Sequence, residues 1–347
     1  MFLRLALAAL ALCASAGAWA GMTFCDRTAN ISAVEQDRVL QFAAVVKREL
    51  EASGARAAII SRAGLDLNRF GLLYSHAGIA LRDNPDGPWA VRQLYYACDE
   101  SRPRLFDQGM AGFALGSDAP AEGHVSLVFL PETEGAQLAE AALDKRLALA
   151  LLAGEYSANA YAFGTRYQNC NQWVIELLAS AWGHFDMQGQ PREQAQAWLR
   201  GAGYDPAPVK VPSHWLMFAG QFVPLVHVGD HPVDDLYALA LRVSVPGTIE
   251  AFVHRHTAAT RVELCHDADR IVVHRGWEQL GRECRPAARA GLAPGDRILA
   301  LDGAPAATLR LDGVRSRLKD ETRDIVDVRY QRSSKEGSAR LRLHDLL

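Results

Sequence analysis

At 347 residues, with 49% hydrophobic and 22% charged side chains, the chain lacks the bias of collagen-like, coiled-coil or wholly disordered sequences. A formal net charge of −3 gives no electrostatic footprint for nucleic acid or an anionic membrane surface, so neither is expected as a partner. At roughly 150 residues per domain the length allows two domains, with ample apolar material for a core.

The N-terminal stretch MFLRLALAALALCASAGAWA carries one early cation, Arg4, then an apolar run and a small-x-small ending at Ala18-Trp19-Ala20. This is the pattern of a secretory signal peptide over residues 1–20. The run stops short of the ~20 apolar residues a spanning helix needs, so a periplasmic or secreted protein is expected, with no transmembrane anchor after cleavage. Loss of Cys13 with the leader leaves Cys25, Cys98, Cys170, Cys265 and Cys284, an odd set in an oxidising compartment. Two disulfides and one free thiol are the simplest partition. Pairing Cys25 with Cys98 and Cys265 with Cys284 would leave Cys170 free, although spacing alone does not fix connectivity. There is no CxxC or CxxH spacing for a zinc site, and no metal or other cofactor is expected.

Residues 31–53 place Val34, Val39, Leu40, Phe42, Ala43, Val46 and Leu50 at helical spacing, with Gly54 in the position that closes a helix. The segments LLYSHAGIALR and WAVRQLYYA are β-prone and joined by the turn-rich Asp83-Asn84-Pro85-Asp86-Gly87-Pro88, which predicts a strand pair. Residues 124–130 predict a further strand, stopped by Pro131, and residues 136–152 a second amphipathic helix.

The stretch YQNCNQWVIELLASAW predicts a helix that buries Trp173, Val174, Leu177, Leu178 and Ala181 on one face. Asn169 suits the N-cap and Gln172 completes a capping-box pattern, so Cys170 falls at the first helical position. There the helix dipole and free N–H groups favour an anion, and the thiol pKa is expected to fall toward the reactive range. Read alone, a buried structural cysteine fits the position equally well. His76 lies mid-strand beside Gly78, which permits close backbone approach. A thiolate nucleophile needs a base that later returns the proton, and imidazole suits neutral pH. A third polar group normally orients the imidazole, and the following strand offers Gln93 and Tyr95 on one face or Arg92 and Tyr96 on the other. The hairpin register, which depends on the turn type, decides between them.

Strand-borne Ser-His-Ala-Gly-Ile, followed further along the chain by Asn-Cys at a helix N-terminus, resembles the circularly permuted NlpC-type papain-like hydrolases. In those proteins the His strand precedes the Cys helix. More closely, SHAGIALRDNPDGPW, VRQLYYAC, FDQGMAGF and YQNCNQWVIELLA resemble the exported bacterial family called domain of unknown function 2145, over roughly residues 23 to 260. The resemblance implies a thiolate from Cys170, a base from His76 and, by spacing, Gln93 as the third residue where many relatives carry a carboxylate. It also implies an oxyanion site at the Cys170 N–H, helped by Tyr167 or Gln168.

Downstream, His254-Arg255-His256 would put two imidazoles on one face of a strand, but no third ligand completes a metal set. The segment from Pro286 through Gly291-Leu292, Pro294-Gly295-Asp296 and Asp302-Gly303 resembles the centre of a bacterial PDZ domain. A short helix over 311–318 and two alternating strands, DIVDVRYQR and SARLRLHDL, follow in the expected order. No glycine-hydrophobic carboxylate-binding loop precedes Pro286, so peptide capture by strand addition stays an open expectation.

Together these readings predict an α+β protein: a signal peptide over 1–20, a permuted papain-like domain over 21–258 with a small antiparallel sheet packed on helices, and a PDZ-like β-rich domain over 259–347. The expected activity is cysteine hydrolysis of an amide or acyl bond, with a cell-wall peptide or another acyl compound as substrate and a peptide ligand for the PDZ-like part. Thioesterase or acyltransferase action on lipid-like acyl groups, and a non-catalytic periplasmic scaffold, are the alternatives.

Overall fold

A computed structural model describes residues 31–65, 67, 70–116, 123–185, 189–206, 208–266, 270–278, 280, 290–292, 295–318 and 325–342. The expected leader, Cys13, Cys25 and Cys284 lie outside the described residues, as does part of the expected PDZ-like motif, Pro286 to Arg289 with Ala293 and Pro294. Among the described residues no helix is long and apolar enough to cross a membrane.

The first helix, α1 (Ala33–Ala52), begins at a reciprocal capping box: the Ser32 side chain accepts from the Glu35 N–H, and the Glu35 carboxylate accepts from the Ser32 N–H at 2.7 Å. It buries Val39, Phe42, Ala43, Val46 and Leu50 and ends at Gly54, whose φ of +72° suits glycine. Val34 and Leu40, expected on the same face, are exposed.

Seven antiparallel strands form the central sheet: β1 (Ala57–Arg62), β2 (His76–Leu81), β3 (Ala90–Ala97), β4 (Arg102–Gln108), β5 (Gly123–Phe129), β10 (Thr260–His266) and β11 (Ile271–Arg275), in the order β11-β10-β5-β1-β2-β3-β4. Alternate residues of β1 serve opposite faces. Ala57 and Ile59 join one core with Trp173, Leu177, Leu199 and Phe252, whereas Ala58 and Ile60 join the other with Phe42, Val46, Leu50 and Phe113. The first core is covered by α3 (Glu132–Leu143), α5 (Cys170–Gly183), α6 (Pro191–Gly201) and α9 (Pro246–His256). The second is covered by α1 and α2 (Met110–Leu115). The fold is therefore α+β, with the sheet sandwiched between helices.

Three expectations need correction. The helix expected over 136–152 is two helices, α3 and α4 (Lys145–Ala150), because Asp144 turns out of helical geometry and its side chain caps the N–H groups of Arg146 and Leu147. His254 and His256 sit on α9, not on a strand. The His254 ring stacks on Trp277, while the ring nitrogens of His256 lie within hydrogen-bond distance of the backbone carbonyls of Phe252 and Ala202. The expected domain boundary at 258/259 falls just before β10, which pairs with β5 and carries β11, so the central sheet extends to Arg275.

Between the large elements lie short pairs. Strand β6 (Glu155–Tyr156) pairs in parallel with β7 (Tyr167–Gln168), and β8 (Pro208–Lys210) pairs with β9 (Ala240–Arg242). Helices α7 (His214–Gly220) and α8 (Val233–Tyr237) flank a small core of Met217, Val228, Leu241, Val243 and Val245. The C-terminal part contains a separate four-stranded sheet of β12 (Arg297–Leu301), β13 (Ala304–Pro305), β14 (Ile325–Arg332) and β15 (Lys335–Arg342), with α10 (Leu311–Leu318). Its own core contains Leu292, Leu301, Val326, Val328, Ala339 and Leu341. Gly291 and Gly295 take φ of +92° and +91°, a conformation that suits glycine.

Candidate active site

Strand β2 starts at His76, opposite Arg62 of β1, and the two strands pair along its whole length. On the other side β2 pairs with β3 only over Ile79–Leu81, against Arg92–Ala90. The start of α5 meets β2 near its unpaired end. Asn171 Nδ2 donates to Ser75 O at 3.2 Å, and the Ala77 N–H hydrogen-bonds the Cys170 sulfur. Helix α5 thus grips both chain neighbours of His76. Asn169 caps it as expected, accepting from the Gln172 N–H at 2.7 Å.

The β2–β3 register puts Gln93 and Tyr95 on the His76 face. His76 Nε2 lies 2.8 Å from Gln93 Oε1, and the Tyr95 ring stacks on the imidazole at 4.7 Å between centroids. Gln93 Nε2 donates to Gln108 Oε1 at 2.7 Å, which turns Oε1 toward His76. The imidazole therefore carries its proton on Nε2, leaving Nδ1 as an acceptor. Nδ1 makes no hydrogen bond among the described residues. Arg92 and Tyr96 face the other way: Arg92 pairs with Asp107, and Tyr96 contacts Tyr156.

No direct hydrogen bond joins Cys170 to His76; the bond to Gln93 is the only one the imidazole makes among the described residues. The titration of both groups is shifted away from an ion pair. Burial pushes the Cys170 thiol up to about 11, despite the N–H groups of Ala77, Asn171 and Cys170 itself and the charge of Arg62. Burial, helped by Arg62, pulls His76 down to about 3 against the Gln93 hydrogen bond. The resting pair is thiol and neutral imidazole. The expected lowering of the thiol by its helix start is present, but desolvation of the charged sulfur outweighs it.

The loop before Cys170 is locked from behind. Glu176 is fully buried, pairs with Arg192 at 2.8 Å and accepts from Gln168, Gln172 and Gln196. Arg192 also donates to the carbonyls of Gly164 and Tyr167. Gln168 is consumed by this network: its Nε2 serves Leu151 O and Glu176, and its Oε1 takes the Ala153 N–H. Its side chain is therefore not a free oxyanion donor. Tyr167 packs its ring on His227 at 4.2 Å, with Arg166 on it as well. The Cys170 N–H, at the first position of α5, hydrogen-bonds the cysteine's own sulfur.

Two neighbours of the pair escaped the sequence reading. Arg62 belongs to β1, whose AAIISR run is buried on both faces and shows no alternation. Tyr156 lies within electrostatic reach of Cys170 and Tyr95, and its phenol is raised by burial and by those two groups. Cys170 is a free thiol, whereas Cys98 and Cys265 are each in a disulfide. Among the described residues no group of three His, Cys, Asp or Glu side chains could hold a metal ion.

Residues 49–253 match the model of a bacterial family described as "uncharacterized protein conserved in bacteria" (DUF2145), which is more than half of the chain. The chain belongs to this family. The DUF2145 span contains His76, Gln93 and Cys170 and stops within α9, so β10 and β11 complete the sheet beyond it. No curated protein and no solved structure matches the chain.

Proposed function

We propose that the protein is an exported cysteine hydrolase of permuted papain-like architecture, acting on an amide or acyl bond, followed by a PDZ-like module. The observation that carries this reading is the His76–Gln93 hydrogen bond, with the Cys170 helix bound to both neighbours of His76. Separation of a nucleophile from its base is common in resting enzymes and closes when substrate binds. The order of the parts, His strand first and Cys helix later, supports the permuted scaffold.

In this mechanism the Cys170 proton passes to His76 Nδ1 as the sulfur electron pair bonds the substrate carbonyl carbon. The carbonyl electrons move to oxygen, where the Cys170 N–H meets them. Collapse breaks the bond to the leaving group, which takes the proton from Nδ1, and leaves a thioester on Cys170. Water, giving a proton to Nδ1, then attacks the thioester carbon; the C–S bond breaks, the acid leaves, and the sulfur takes the proton back from Nδ1 to restore the thiol. Gln93 fixes the imidazole tautomer throughout but adds no negative charge to stabilise an imidazolium.

A peptide acyloxymethyl ketone tests the reading on the intact protein. It should label Cys170, and His76→Ala should slow labelling by about 100-fold or more, the range of general-base catalysis. Labelling unaffected by His76→Ala would overturn the proposal in favour of a binding module. Release of amine, rather than thiol or alcohol, from matched substrates then separates a peptidase or amidase from a thioesterase, with cell-wall peptides as the first substrates to try.

A further inference from the structure

Arg62 is buried where β1 faces His76. Other buried guanidinium groups here take carboxylate partners: Arg92 with Asp107, Arg192 with Glu176 and Arg261 with Glu250 and Glu263. Among the described residues Arg62 takes none. Its Nη1 donates to Gly116 O and its Nη2 to the Tyr95 hydroxyl, while Nε is enclosed without a partner. The Phe113 ring centre lies 5.3 Å from Cζ. Two glycines make the space: a Cβ on Gly64 would stand 2.8 Å from Nη1, and one on Gly116 2.5 Å from Nη2. A buried cation without a counter-ion is strongly disfavoured by desolvation, so its siting beside a candidate base is unfavourable unless it acts on that base.

We infer that Arg62 is a positioning residue for the cysteine chemistry: through the Tyr95 hydroxyl it sets the ring stacked on His76, and its fixed charge favours a sulfur or oxygen anion over an imidazolium. The inference rests on the reading of Cys170 and His76 proposed above. The groups facing His76 are Arg62 from β1, Gln93 and Tyr95 from β3, Phe113 from α2 and the start of α5 with Cys170; Gln108 and Tyr156 stand behind them. Of these, Arg62 alone is charged at neutral pH. Its field lowers both the imidazole and the thiol, so it opposes idle protonation of the base and stabilises negative charge as the sulfur attacks.

Three variants of the full chain test this: Arg62→Met removes charge and fork, Arg62→Lys keeps the charge, and Tyr95→Phe removes only the hydroxyl. Cys170 is titrated by thiolate absorbance and iodoacetamide rate, and His76 by NMR. In Arg62→Met both midpoints should move up, and alkylation at a fixed alkaline pH should fall about tenfold, the effect of one pH unit. Arg62→Lys should hold both midpoints near wild type. Tyr95→Phe should leave iodoacetamide alkylation unchanged yet slow labelling by the ketone probe about tenfold, through a mis-set base. Unmoved midpoints in folded Arg62→Met would overturn the inference. If that variant fails to fold, wild-type ketone-probe labelling rates in Tyr95→Phe would overturn it. Persistence of ketone-probe labelling in Cys170→Ala would instead sink the hydrolase reading, an outcome the titrations cannot mimic.

Discussion

Gly78 is the position at which a single added methyl group should damage both the sheet and the candidate site. Its φ is not positive, so alanine meets no backbone penalty, and within a strand it would ordinarily gain roughly 0.5–1 kcal/mol over glycine. The space is already taken, however. A Cβ there would lie 2.6 Å from Val91 Cγ1, 3.0 Å from Arg92 O and 3.2 Å from Gln93 Cβ. Carbon pairs rest at about 3.5–4.0 Å, so the first contact is about 1 Å too short. Val91 is fully buried and β-branched, with little freedom to rotate away. Arg92 is anchored to Asp107 and to the Ala142 carbonyl, so its own backbone oxygen cannot easily yield. Relief requires β3 to move off β2. Overpacking of this kind costs about 1–3 kcal/mol, which exceeds the propensity gain and leaves Gly78→Ala destabilised by about 1–2 kcal/mol. At about 2–4 °C per kcal/mol for a domain of this size, Tm should fall by roughly 2–8 °C. Urea and thermal unfolding of the purified variant measure this directly, and ketone-probe labelling should slow as Gln93 is carried away from His76. A variant as stable as the parent, with unchanged labelling, would refute the packing argument.

Acid should weaken the fold through His76. The unfolded imidazole titrates near 6.5 and the folded one at about 3, so the unfolded chain binds more protons between those values and stability falls as pH drops from 6.5 toward 3. The slope from this group reaches up to ~1.4 kcal/mol per pH unit. Replacing it by His76→Gln should flatten the pH dependence of the urea midpoint, and an unchanged dependence would contradict the buried neutral imidazole. Cys170 in the resting protein should react with iodoacetamide roughly twentyfold more slowly than a free thiol at pH 7: its thiolate is scarcer, and greater intrinsic nucleophilicity offsets only part of that. Rapid alkylation measured by mass mapping would place the thiol in a more exposed, more acidic setting. Truncation after Arg289 should keep cooperative unfolding, because it spares the central sheet and both of its cores. Truncation after Ala258 removes β10 and β11, bares the β5 edge and should abolish it; equal behaviour of the two would argue against the strand order.

What the amino-acid string discloses here is mostly local. Helix α1, the β2–β3 pair, β5 and the Asn169 cap announce themselves by spacing, turn chemistry and capping, which act over a few residues. Strand β1 does not, because burial on both faces erases alternation. With it went Arg62, whose place opposite His76 exists only once two strands pair. The family resemblance implies Gln93, but from the residues alone the choice between the Tyr95 and Tyr96 faces waits on a register set by the whole hairpin. Strands β10 and β11 read as the start of the C-terminal domain because their partner, β5, is remote in sequence. The sign of the thiol shift is hidden for a related reason: helix-start stabilisation is visible locally, whereas desolvation depends on everything packed around α5.

The strand order also sets a schedule for assembly. The His76–Gln93 contact closes across 17 residues, whereas Arg261 of β10 reaches Ser126 of β5 across 135. Loop-closure entropy makes the second contact dearer by about 2 kcal/mol before any packing is gained. The hairpin holding the base and its orienting amide is thus free to form early in a folding chain, with the thiol helix docking onto it afterwards. The far edge, including the disulfide-bonded Cys265, is the late and slow event expected of long-range strand pairing.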